Sequence, residues 1–143
     1  MKPLLAFVIA TFFASAVGAQ PDVPPQLAPG QSARDPLDLS QFRWKNRLLV
    51  IFADSAGDPH FVEQMGLLET RVEDLVERDV IVLIDTDPSG QSALREKFRP
   101  RGFMFVLIGK DGNVYLRKPR PWDTREISRS IDKMPLRRQE MRN

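Results

Sequence analysis

From Trp44 to Ser55 the chain opens on polar residues, runs apolar without a break from Leu48 to Ala53, and closes on Asp54 and Ser55. Six apolar residues in a row without alternation mark a strand covered on both faces, as parallel strands of α/β domains are. The polar turn Asp54 to Pro59 then falls at the strand's carboxyl end, where such sheets hold their sites. No obvious chemical group stands there. The other apolar segments read as layers added to this strand.

Asp58-Pro59 is a helix start, with a carboxylate to cap free amides and a proline whose missing N–H does no harm. Phe61, Met65, Leu68, Val72 and Leu75 recur at three- and four-residue intervals, predicting one amphipathic helix of about five turns at 3.6 residues per turn. Gly66 inside it reads as a point of close approach to the sheet. Val80 to Ile84 is a second apolar run, and its nearness to that helix predicts a right-handed βαβ unit. Leu94 and Phe98 mark a short helix before Pro100. Phe103 to Ile108, the turn Gly109 to Asn113, and Val114 to Arg117 predict a hairpin. Asp123 with Glu126 fits a capping arrangement for a helix carrying Ile127, Ile131 and Met134. Pro135 stops or bends that helix, and the basic end of the chain reads as a frayed helical extension. The predicted fold class is α/β: βαβ followed by ββα, with a four-stranded mixed sheet and helices on both faces. Leu37 to Phe42 is left without an assignment.

A chain of 143 residues suffices for one domain. Its first residues are not part of it: Met1-Lys2 is a short positive start, Pro3 to Val17 is almost wholly apolar, and Val17-Gly18-Ala19 offers a small-residue cleavage site. The apolar run falls short of the roughly 20 residues that span a bilayer. The expected organisation is a signal peptide over residues 1–19, a Pro-rich tether over 20–36 and a domain over 37–143, exported to a periplasmic or extracellular location. The mature chain is not expected to stay on a membrane.

No cysteine is present. That removes thiol redox couples, thiolate nucleophiles and zinc–thiolate sites, and leaves stability to the core alone. Charge is unevenly laid out: Asp54 to Asp87 holds ten acidic and two basic residues, and Pro88 to Asn143 holds six acidic and fourteen basic. Such blocks read first as solvated helix faces of opposite sign; the functional reading is an anionic partner, a protein or a smaller ligand, drawn to the second half. Nucleic acid is not expected in an exported chain without a recognised binding motif.

Particular stretches sharpen the fold. Trp44 to Phe52, then Glu77-Arg78-Asp79, then Leu107 to Gly112, and finally Ile131 to Met141 with its Met134-Pro135-Leu136-Arg137 step, resemble the domain-of-unknown-function family 4174. The resemblance covers about residues 37 to 142. It implies a thioredoxin-like, peroxiredoxin-like core. It also implies likeness to small exported bacterial proteins and to repeated domains of animal extracellular-matrix proteins, with no settled activity. No cofactor is expected. Where an active relative of that fold begins its redox motif, this chain reads Ala53 to Asp58 without a thiol. Gly102 or Phe103 enters the third strand in place of proline.

Five residues are candidates for binding: Trp44, Arg47, Arg101, Arg117 and Arg137. Arg101 belongs to a basic run with Arg95, Lys97 and Arg99, and Arg117 to one with Lys118 and Arg120 beside Trp122. Such a surface suits a phosphate-rich or polysaccharide ligand, or else is a solvated face with Trp122 packed on the last helix. Trp44 and Arg47 flank the first strand, and a buried pair from Arg47 to Asp132 near Arg137 and Arg138 would lock the chain's end to the sheet. The alternative is an enzyme in which Asp54, Asp85 and Asp87 hold a divalent metal by oxygen ligands near His60. Ser55 with His60 and Asp58 lacks the spacing of a nucleophile and its base.

Overall fold

The protein's structure, a computed structural model, describes residues 39–143. The expected signal peptide and tether lie outside the described residues.

The opening strand forms as its apolar run dictates. β1 (Arg47–Phe52) is buried along its whole length. It pairs in parallel with β2 (Val80–Asp85) and antiparallel with β3 (Met104–Ile108), which pairs in turn with β4 (Val114–Lys118). The four-stranded sheet therefore runs β2-β1-β3-β4, mixed as expected.

Alternation along β1 feeds two cores. Leu49, Ile51 and Ala53 face a cluster closed by Leu68, Leu75, Ile127 and Ile131. Those residues come from α1 (Pro59–Glu69), α2 (Val72–Glu77) and α4 (Thr124–Asp132). Leu48, Val50 and Phe52 face the other side, closed by Leu94 and Phe98 of α3 (Ala93–Phe98) and by Leu39 and Phe42. The unassigned stretch before β1 thus carries a 3-10 turn, Leu39–Phe42, that covers the second core.

Two helical expectations are corrected. The single five-turn helix is broken between α1 and α2: Thr70 caps the first with its hydroxyl on the Leu67 carbonyl at 2.7 Å, and Arg71 leaves helical geometry at φ −143°. Gly66 makes no close approach, since a Cβ there would meet nothing within 4 Å. Its position is exposed. At the other end of the chain, Pro135 starts a helix as well as ending one. α5 (Pro135–Arg142) takes proline in its first turn, where no amide is needed, so the basic tail is an ordered element.

The hairpin forms around Gly109, where a Cβ would lie 2.5 Å from the Tyr115 ring. Only glycine lets that ring lie across the turn. Tyr115 is an extra residue in β4, a bulge between the pairs Leu107↔Leu116 and Ile108↔Val114, and β4 is an edge of the sheet.

Candidate functional site

At the carboxyl end of β1, Asp54 to Gly57 are exposed and Asp58 caps α1, its carboxylate accepting the His60 amide at 2.8 Å. The same carboxylate is thereby committed to the helix end. The His60 ring stands edge-on to Phe103, with centroids 5.7 Å apart. Ser55, Asp58 and His60 form no nucleophile–base chain.

The strand-end carboxylates separate into different roles. Asp85 is buried and takes Arg95 Nε at 3.0 Å on one oxygen and the Ser92 hydroxyl, in a short bond, on the other. Arg95 Nη2 also donates to the Ala53 carbonyl at 2.7 Å, and its guanidinium sits 5.6 Å from the Phe52 ring. This arrangement ties the ends of β1 and β2 to α3. Asp87 accepts the Ser89 hydroxyl at 2.6 Å, the first of the bonds that lower its pKa from the usual carboxylate value. Asp54 lies exposed. The expected metal trio is not assembled: among the described residues no group of three or more His, Cys, Asp or Glu side chains is placed to hold a metal. Asp85 already has a cation, and that cation is Arg95.

Beside Phe103 the chain builds a basic cleft. Arg99 ends α3 in the left-handed conformation at φ 48°, and Gly102 repeats it at φ 64°, so the backbone turns sharply into β3. The hairpin returns Arg117 and Lys118 to the same place. Arg99, Arg101, Arg117 and Lys118 line a cleft of about 260 Å³ with Phe103 and Met104. Arg117 is fixed by a short bond to the Phe98 carbonyl and by its position 5.9 Å from the Phe98 ring. Lys118 lies 4.9 Å from the Trp122 ring. None of the four forms an ion pair among the described residues. Trp122 packs on Phe105 and against the core cluster that includes Ile127 and Ile131 of α4, and its backbone is clamped by Gln64 of α1 through bonds of 2.9 and 3.0 Å.

The remaining candidates gather at the opposite end of the sheet. Arg47 is buried at the start of β1 and donates to the Arg78 carbonyl at 2.9 Å and to Glu140 of α5 at 3.2 Å. Lys110 joins the same Glu140 at 2.7 Å and Asp79 at 2.8 Å. Asp132 takes Arg78 at 2.9 Å and Arg137 at 3.1 Å. The locking pair expected between Arg47 and Asp132 is corrected: Glu140 is the partner of Arg47, and Asp132 belongs to Arg78 and Arg137. Hydrogen bonding from Arg78 holds Asp132 below the usual carboxylate range against the opposing effect of burial. Burial pushes Glu140 upward, and bonds from Lys110 and Arg47 outweigh it to leave the carboxyl lowered. Trp44 is 66% exposed beside this lattice, in the left-handed region at φ 67°, with its amide on the Lys110 carbonyl at 2.7 Å.

Arg101 and Arg117 are therefore brought together without carboxylate partners among the described residues, whereas Arg47 and Arg137 are brought together and paired with carboxylates. Sequence reasoning missed Glu140, Lys110 and Gln64. The lattice residues were present in the quoted stretches as charges flanking apolar runs, and nothing local paired them.

A βαβ unit joined to a ββα unit around a mixed sheet, with helices on both faces, defines a thioredoxin-like fold. In agreement, the structure is similar to the reduced 2-Cys peroxiredoxin of Plasmodium vivax, with a TM-score of 0.55 and 16% identity over 72% of this chain and 84% of that one. A thioredoxin peroxidase I of Plasmodium yoelii gives a TM-score of 0.49 at 20% identity, over 72% and 79% of the two chains. The family of domains of unknown function DUF4174 matches residues 38–140, and the chain belongs to that family. The coiled-coil domain-containing protein 80 of Danio rerio is 34% identical over 133 residues, covering 72% of this chain and 15% of that protein's own length. The stretches that carried the family resemblance supply Arg47, Arg78, Asp79, Lys110, Asp132, Arg137 and Glu140, the charges of the lattice.

Proposed function

We propose that this thioredoxin-like domain is an exported binding module that holds an anionic group of its partner in the cleft beside Phe103. The carrying observation is the contrast between the two sets of cations. Arg47, Arg78, Arg95 and Arg137 all have carboxylate partners, whereas Arg99, Arg101, Arg117 and Lys118 converge on one apolar-floored cleft without any among the described residues. Like charges brought together without counter-charges repel one another, and an anion relieves that repulsion while guanidinium forks supply paired donors. The cleft sits at the end of the sheet where α/β folds place their ligands, and the turn from Asp54 to Asp58 brings no reactive group to it.

Calorimetric titration with a short polyglutamate peptide at low ionic strength tests the reading. Saturable binding should weaken at least tenfold on Arg101→Glu, a change at an exposed position, and should weaken further as salt is raised. Affinity unchanged by Arg101→Glu and by Lys118→Glu would remove the cleft from the proposal.

A further inference from the structure

A second cavity, of about 340 Å³, lies on the sheet face covered by α3 and the 3-10 turn. That volume falls within the roughly 300–1,000 Å³ of small-molecule pockets. Its floor is apolar, built from Phe42, Leu48, Leu94, Phe98 and Ile108. Its rim is cationic. Arg43 lies so close over Gly112 that a Cβ there would come within 3.0 Å of two guanidinium nitrogens, and Lys97 stands 5.6 Å from the Phe98 ring. Neither cation has a carboxylate partner among the described residues, and no acidic residue lines the cavity.

An apolar floor favours hydrocarbon, and two uncompensated cations at the mouth favour one negative charge at the hydrocarbon's end. At ~30 Å³ for each water-sized group, the space takes about ten carbons. We propose that this cavity binds an amphipathic monoanion, a medium-chain carboxylic acid whose chain lies on Leu48, Leu94 and Ile108 and whose carboxylate sits between Arg43 and Lys97. The site is separate from the basic cleft and does not depend on it. Phe98 contributes to the floor of this cavity, while its carbonyl and ring hold Arg117, and the two sites share no lining residue.

The test is calorimetry on the full chain with sodium decanoate below its micellar range, with decanol as the uncharged control. Decanoate should bind at one site, and decanol at least tenfold more weakly. Arg43→Ala combined with Lys97→Ala should remove that preference. Ala93→Trp, at an exposed position on the wall, should fill the cavity and abolish binding. Should the tryptophan variant fail to fold, amide shifts in the unmodified protein decide instead: Leu94, Phe98 and Ile108 should move on titration. Arg101→Glu should leave decanoate binding unchanged, which separates this site from the cleft. Absence of binding, equal affinity for decanol, or shifts confined to other residues would overturn the proposal.

Discussion

Arg47 is the residue on which the amino end of the sheet depends. A guanidinium taken wholly out of water costs several kcal/mol unless it is paired and bonded, and Arg47 obtains its partners from Arg78 and Glu140 while its Nε has none. Glu140→Ala should therefore destabilise by roughly 3 kcal/mol, the low end for breaking a buried pair, because the Glu140 side chain is itself 31% exposed. Replacing both partners, Arg47→Met with Glu140→Leu, should recover most of that loss. Urea unfolding midpoints of the three proteins decide it, and an alanine variant as stable as the parent would mean the lattice holds nothing. The opposite sign is expected at Gly66. With open space around its missing Cβ and a helical, exposed position, Gly66→Ala should stabilise by about 1 kcal/mol on helix propensity alone. A loss of stability there would overturn the reading of Gly66 as an open helical position.

α5 has one buried residue, and that residue is Arg137. Beyond the buried cap residue Met134 and the half-buried Leu136 little apolar surface holds this helix, so its attachment is largely electrostatic. Asp132 and Glu140 both have lowered pKa values in the folded protein. Groups so shifted contribute their full stability above the unfolded carboxylate values of about 4 and lose it as pH falls through the lower folded values. Hydrogen exchange should accordingly show α5 losing protection on acidification before β1 and β3 do, and simultaneous loss in all three would sink this account. Elements were legible where their signal was local: the apolar run of β1, the Gly109 to Asn113 reversal, the Asp58 and Asp123 caps. The break at Thr70-Arg71 was not, because neither proline nor glycine marks it. The lattice was not either. Its members are separated by 31 residues for Arg47 and Arg78 and 93 for Arg47 and Glu140, and charge carries no periodicity that names its partner. Arg101 and Arg117 were legible as a pair of basic runs, but only the hairpin's return made them one cleft.

Across the whole molecule the uneven charge of the sequence is sorted by position as well as by sign: Arg47, Arg78, Lys110 and Arg137 at the amino end of the sheet are neutralised, and Arg99, Arg101, Arg117 and Lys118 at the carboxyl end have no carboxylate partner among the described residues. A thioredoxin-like fold invites a redox assay, and the chain has no thiol to sustain one. The purified domain should neither consume peroxide with a thiol donor nor reduce insulin disulfides, and steady multiple turnover in either assay would overturn the assignment of the Asp54 to Asp58 turn as chemically inert. If the export signal is used, mass spectrometry of the secreted protein should find Gln20 first; an intact Met1 there would refute the processing.

The bulge at Tyr115 bears on a different matter, the company the molecule can keep. An edge strand offers its free amides and carbonyls to any neighbour, and a straight one templates fibres. With an extra residue kinking β4 and Arg117 and Lys118 standing on it, the sheet is blocked from continuing through β4 into a second copy. Identical domains can then meet at the β4 edge without zipping together there, and deletion of Tyr115 should raise the light scattering of the solution with concentration.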